Sequence, residues 1–270
     1  MLSTEERENV LLELNSAKNK VAICFSGQLR TWRKCVSNWH YILKTIGYPE
    51  ENIDVFCHIW DFNSIPNSID TNGIFDRKVS KEEINEVLSI LKPKKYVIES
   101  ERVFTPFSPT QPITNSGFLS QFYGIMKSAN LKRQYEIENN MRYSAVARSR
   151  YDTLYTDTCV GLYHNITPNV IKTCGIVWDE TEMKGRIQDL FWVADSDTYD
   201  IIADYYINLG FIEKSIFTKE EHQFYPPELV FFYYLKKNNI TIESNTWILK
   251  VMRESMELSS AKREGGYEVW

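Results

Sequence analysis

Two uninterrupted apolar runs punctuate the first sixty residues. Val21-Ala-Ile-Cys-Phe25 and Ile53-Asp-Val-Phe-Cys-His-Ile-Trp60 each read as a strand buried on both faces, because neither shows the polar alternation of a half-exposed one. Between them Trp32, Val36, Trp39, Leu43 and Ile46 recur at spacings of four and three, which predicts an amphipathic helix. The first run ends in Ser26-Gly27-Gln28 and the second closes on Asp61. Strand, glycine turn, helix and strand in that order predict a right-handed crossover and a parallel sheet.

The same reading extends along the chain. Residues 4 to 15 form a leading helix with Ser3 or Thr4 as its cap. Ser80-Lys-Glu-Glu83 is a capping box, and its helix runs to Leu91 before Pro93 stops it. Tyr96-Val-Ile98 predicts a third strand. Residues 101 to 117 carry Pro106, Pro109 and Pro112, and so long an irregular stretch reads as a lid or binding loop. Phe118, Phe122, Ile125 and Ala129 mark one face of a helix extending to about Asn139. Strands are expected over Tyr143–Tyr151, in short irregular pieces over 153–178, and over Leu190–Ala194. One helix carries Tyr199, Ile202, Tyr206 and Leu209, and another opens at Pro226-Pro227. The residues from Met256 onward read as frayed or loosely docked.

Composition narrows the function classes. The chain has 270 residues, 43% hydrophobic and 25% charged, which fits a globular protein with a substantial core. A net charge of −5 argues against nucleic acid as partner. Five cysteines (Cys24, Cys35, Cys57, Cys159 and Cys174) form no C-x-x-C pair and leave one unmatched, as expected of reduced thiols in a cytoplasmic protein. The charged N-terminus is no signal peptide, no apolar run approaches a membrane span, and the Asn165 and Asn239 sequons are read as chance.

Two constellations carry candidate chemistry. In Phe25-Ser-Gly-Gln-Leu-Arg30, Gly27 lets backbone approach a ligand, the helix start offers N–H groups to an anion, and Arg30 adds a planar fork suited to phosphate. The alternative is an ordinary strand-to-helix turn. In Val146-Ala-Arg148-Ser-Arg150-Tyr-Asp152, strand alternation puts Arg148, Arg150 and Asp152 on one side. Two guanidiniums on a core strand need either a polyanion, such as a diphosphate, or an internal Arg–Asp–Arg network.

These motifs, with His58-Ile-Trp-Asp61, Gln188-Asp-Leu-Phe-Trp-Val-Ala194 and Tyr225-Pro-Pro-Glu228-Leu, resemble predicted glycosyltransferases of capsule and lipopolysaccharide gene clusters and of viruses. The resemblance covers roughly residues 20 to 245. It implies an α/β, GT-A-like (Rossmann-like) fold with a mostly parallel sheet flanked by helices. It also implies a nucleotide-sugar donor and a hydroxyl acceptor such as a glycan. The chain is then one glycosyltransferase-like domain over 1–270: a leading helix (1–19), a nucleotide-binding half (20–152), an acceptor-side half (153–245) and a C-terminal tail (246–270). In such folds an Asp-x-Asp holds a divalent metal against the donor diphosphate. Here Arg150-x-Asp152 stands in its place, so either Asp152 holds Mn²⁺ or Mg²⁺ with help from elsewhere, or Arg150 neutralises the diphosphate itself.

The implied donor site comprises Ser26, Gly27, Gln28, Arg30, Asp61, Gln121, Arg148 and Arg150, with Asp152 ordering the donor directly or through the metal. Asp189 and Glu228 are the candidate bases for the acceptor hydroxyl, the latter alternatively a helix N-terminal charge. His222 and Trp192 are candidate acceptor contacts, and His58 and Tyr123 are candidate nucleoside contacts. Two other classes stay open: a sulfotransferase or phosphotransferase cradling phosphate in the Ser26-Gly27 turn, and a non-catalytic nucleotide- or carbohydrate-binding protein.

Overall fold

The computed structural model describes residues 20–45, 48–63, 77–100, 116–155, 165–173, 176–179, 184–187, 191–209, 227–244 and 249–251. The expected leading helix, proline-rich loop and most of the C-terminal tail lie outside these residues. Seven strands make one sheet in the order β12-β8-β11-β6-β1-β2-β5. They are β1 (Val21–Gln28), β2 (Ile53–Trp60), β5 (Lys95–Glu99), β6 (Ala145–Ser149), β8 (Val170–Thr173), β11 (Trp192–Ala194) and β12 (Thr241–Ser244). Short two-stranded pairs accompany it: β3 (Phe62–Asn63) with β4 (Arg77–Lys78), β7 (Thr153–Tyr155) with β13 (Leu249–Val251), and β9 (Ile176–Asp179) with β10 (Lys184–Ile187).

β1 runs parallel to both β2 and β6, and β2 parallel to β5. β11 is antiparallel to its neighbours β6 and β8, and β12 is parallel to β8. The sheet is therefore mostly parallel and α/β in class, as the pattern predicts. The alternation of strands with helices gave no hint of the reversal at β11.

Each face of the sheet buries its own helices. Val21, Ile23 and Phe25 of β1 join one core with Trp32, Cys35 and Trp39 of α1 (Trp32–Thr45) and Ile84, Val87 and Leu91 of α2 (Lys81–Leu91). Ala22 and Cys24 point the other way, into a second core with α3 (Ser116–Asn139), α4 (Ser196–Ala203) and α5 (Pro227–Lys237). The Ser80 hydroxyl caps α2 by accepting from the Glu83 amide at 3.1 Å, as the capping box predicts. The Glu83 carboxylate instead accepts from the Trp32 indole at 2.9 Å, which ties α2 to α1. On the other face Lys132 of α3 is fully buried. It is paired with Glu136 at 3.0 Å and Asp200 of α4 at 2.9 Å, and it donates to the Ser196 hydroxyl, so α3 and α4 are fastened together.

α3 crosses β1 and β2 closely at Gly124. A Cβ there would come 2.9 Å from Nδ1 of the buried His58 and 3.5 Å from Cβ of Ser26. Gly124→Ala should therefore destabilise the protein by about 1–3 kcal/mol through overpacking. This is expected even though alanine gains roughly 1 kcal/mol of helix propensity over glycine. Urea denaturation checks this, and a variant as stable as the wild type would show that the helix has room to shift.

Candidate functional site

From β1 the chain steps outward to β2 and β5, then returns through α3 to β6 on the opposite side of β1. The order reverses between β1 and β6, and in open parallel sheets ligands bind outside the carboxyl ends of the strands at that point. Two segments form its lips: Gly27–Thr31, at the end of β1 and just past it, and the turn over 150–152 after β6. Gly27 has φ +131°, a conformation that favours glycine, and among the described residues a Cβ built there meets nothing within 4 Å. The glycine is thus required by backbone conformation and not by crowding from the described residues.

Asp152 joins the lips. Arg150 grips its carboxylate with both edges of a fork, Nε to Oδ1 at 2.8 Å and Nη2 to Oδ2 at 2.7 Å. Arg30 reaches the same Oδ2 with Nη1 at 3.7 Å, and its Nε donates to Gln28 Oε1 at 2.9 Å. The Asp152 side chain is 2% exposed, whereas those of Arg30 and Arg150 are 20% and 17% exposed. Burial pushes the Asp152 carboxyl upward, but the charge and hydrogen bonds of Arg150, with the charge of Arg30, outweigh it and hold the group below its usual range.

Tyr151 fixes this turn. Its ring is fully buried, 5.4 Å from Phe25 in a stacked arrangement and 5.9 Å from Trp39 edge-on. Its hydroxyl donates to the His58 carbonyl at 3.2 Å, reaching beneath β1 to β2.

The expected trio does not assemble. β6 ends at Ser149, so the alternation that would align Arg150 and Asp152 with Arg148 stops before either is reached. Arg148 is fully buried, its guanidinium 5.0 Å from the centre of the Trp192 ring, in the core beneath α4 and α5. Asp152 lies toward α1: burial first, and then its charge, push the thiol of Cys35 in that helix up to about 12. The network is Arg–Asp–Arg, as the second alternative had it, with Arg30 replacing Arg148. Trp192 is likewise buried against Arg148 and Phe231, which removes it from a role in acceptor stacking. Ser26 is buried beneath Gly124, so its hydroxyl cannot cradle a phosphate at the mouth.

The other expected site residues are spread more widely. Asp61 follows β2 at the same edge, accepting from the Ser100 hydroxyl at 3.1 Å, and Gln121 is half-buried in α3. Residue 228 lies in the first turn of α5. Asp189 and His222 lie outside the described residues.

A divalent cation does not suit the described residues around Asp152. Both of its oxygens are occupied by guanidiniums, whose charge repels a metal. Among the described residues no three His, Cys, Asp or Glu side chains gather to hold one.

The sequence pattern missed Glu99, the last residue of β5. Its carboxylate lies 3.2 Å from His58 Nε2, accepts from the Tyr123 hydroxyl at 3.1 Å and pairs with Lys127 at 3.4 Å. The His58 ring stands edge-on to Trp60 at 4.6 Å, and Trp60 stacks on Tyr123 at 5.7 Å. His58 and Tyr123 are thus held in a buried cluster, not spread along an open nucleoside platform. The one available signal for Glu99 was positional, since the third parallel strand must also end at the ligand-binding edge.

No family model matches the chain, and no curated protein matches it. Among solved structures it is similar to a Bacillus anthracis protein with the proposed identity of glucose-1-phosphate thymidylyltransferase, crystallised with sucrose. The two share 8% identity over 93% of this chain and 97% of that one, at a TM-score of 0.39. So distant a likeness bears on neither the site nor the substrate. Among the described residues no helix is long and apolar enough to cross a membrane.

The hydrogen bond from His58, opposed by burial and assisted by Lys127 and Tyr123, lowers the Glu99 carboxyl from 4.5 to about 2. A depressed carboxylate stabilises the fold above its unfolded value, and that contribution disappears as pH falls through the folded one. The difference in melting temperature between wild type and Glu99→Gln should therefore be largest above about pH 4.5 and close toward about pH 2. A difference independent of pH would show that the ionised carboxylate is not the stabilising form.

Proposed function

We propose that the protein transfers a sugar from a nucleotide-diphosphate donor to a hydroxyl acceptor. One observation carries this reading: two partly exposed guanidiniums, Arg30 and Arg150, converge on one carboxylate where the strand order reverses. A planar fork matches phosphate oxygens. None of the described residues crowds Gly27, which leaves the diphosphate room among them to approach the backbone.

In the reaction the acceptor oxygen bonds to the anomeric carbon as the bond to the diphosphate breaks. Negative charge builds on the leaving diphosphate, where fixed cations stabilise the transition state more than the ground state. The acceptor hydroxyl must also lose its proton to a base within hydrogen-bond reach. We assign that role to Asp189 or Glu228. β11 runs antiparallel, so its first residue, Trp192, pairs with Arg148 at the carboxyl edge, and Asp189 precedes it by three residues. The burial of Ser26 weighs against a sulfotransferase or phosphotransferase built on the Ser26-Gly27 turn.

Thermal-shift assays with UDP, GDP, CDP and dTDP, and with adenosine 3′,5′-bisphosphate, test the class of ligand. At least one nucleoside diphosphate should raise the melting temperature, and the bisphosphate should not. With the matching nucleotide sugar, release of nucleoside diphosphate should fall about 10²-fold or more in Arg150→Ala, the scale for losing one donor to a developing anion. Stabilisation by adenosine 3′,5′-bisphosphate alone would transfer the protein to the sulfotransferase class. Binding without turnover on any nucleotide sugar would make it a binder.

A further inference from the structure

We infer that Asp152 is a positioning residue that holds Arg30 and Arg150 as a fixed pair of cations, and that this pair grips the donor diphosphate without a divalent metal. The inference rests on the reading above that the crevice takes a nucleotide diphosphate, and it adds how the charge is met.

The order of exposure carries the inference. The carboxylate lies innermost, at 2%, and the two guanidiniums lie between it and solvent, at 17% and 20%. A molecule entering the crevice therefore meets guanidinium edges before it meets Asp152. For a metal to reach the carboxylate, it would have to displace the bidentate contact at 2.8 and 2.7 Å against the repulsion of both arginines. Two guanidiniums stand beside one carboxylate, so a cation approaching Asp152 is repelled by both.

Position matters as much as charge. A long arginine side chain loses rotamer freedom when it binds, and anchoring it beforehand removes part of that loss. Asp152 anchors Arg150 at two points. Arg30 is held from two sides, by Asp152 at 3.7 Å and by Gln28 at 2.9 Å. Tyr151, buried between them in sequence, prevents the turn from drifting.

The charge and positioning roles of Asp152 predict opposite signs, which makes the inference testable. Removing its negative charge leaves the cluster more positive. If charge alone mattered, Asp152→Asn would bind a diphosphate more tightly; if position matters, it binds more weakly. Calorimetric titration of the full chain with UDP, GDP, CDP and dTDP, in EDTA and then with excess Mn²⁺, reads both. Thermal melts confirm that each variant is folded at the titration temperature. In the wild type the dissociation constant of the nucleotide that binds should change by less than about threefold between EDTA and Mn²⁺. In EDTA, Asp152→Asn and Arg150→Lys should each weaken it about tenfold or more, the latter because lysine keeps the charge and loses the fork. Binding that requires Mn²⁺, or an Asp152→Asn variant that binds as tightly as the wild type, overturns the inference while leaving the donor reading intact. If Asp152→Asn does not fold, Arg150→Lys decides, and unchanged affinity in that variant overturns the inference. If no nucleotide binds in either condition, the donor reading itself fails, and this inference fails with it.

Discussion

A carboxylate sealed from water is the constraint on which the site depends. Burying an ion without partners is strongly unfavourable, and Asp152 is tolerated because Arg150 and Arg30 meet it. The compensation is mutual. The carboxylate orients both arginines, Arg30 with help from Gln28, and their charge favours its ionised form. The three residues come from segments far apart in sequence, after β1 and after β6, so their mutual need joins the two lips of the crevice.

Apolar packing beneath the site supplies what electrostatics alone could not, a defined position. Phe25, Trp39 and Tyr151 form one aromatic group on the α1 face, and Trp32 stacks on Trp39 at 6.1 Å while its indole is bonded to Glu83 of α2. Any shift of α2 or α1 is therefore felt at Tyr151, the residue between the two ends of the Arg150–Asp152 pair. On the opposite face the buried Lys132–Glu136–Asp200 network keeps α3 registered on α4. Gly124 and the His58–Glu99 cluster then fix α3 against β1 and β2. Rigid layers on both faces leave the carboxyl edge as the place where a ligand can be met without unpacking a core.

Much of this architecture was legible along the chain because its main strands are buried on both faces. β1 and β2 read as continuous apolar runs for that reason, and Ser80 announced α2 through a local hydrogen bond that needs no tertiary context. Arg150 and Asp152 were legible as residue types that burial must pair, whereas Arg30 read as a fork for phosphate and Arg148 stood in its place in the Arg–Asp–Arg alternative. What could not be read was set by distant parts of the fold. The end of β6 depends on Tyr151 finding a slot between Phe25 and Trp39, and that slot exists once α1 has docked. The reversal of β11, the short edge strand β12 and the pairing of Glu99 with His58 likewise follow from neighbours that no local pattern names.

Arg148 and Arg150 show why the end of a strand matters more than the motif it carries. Had β6 continued by three residues, both guanidiniums would face the α4 side, and Asp152 with them. The core would then hold two cations on one wall and the mouth would hold Arg30 alone. Because the strand stops at Ser149, Arg148 stays inside, its charge set against the face of Trp192, while Arg150 folds back onto Asp152 at the edge. The aromatic ring suits the interior arginine, since a π face attracts a cation. The carboxylate suits the outer one, because it fixes a fork whose charge still reaches solvent. Two identical residues, two positions apart, thus take different partners because the sheet ends between them. The division puts Arg150 and Arg30 at the edge of the sheet and leaves a packing role to Arg148.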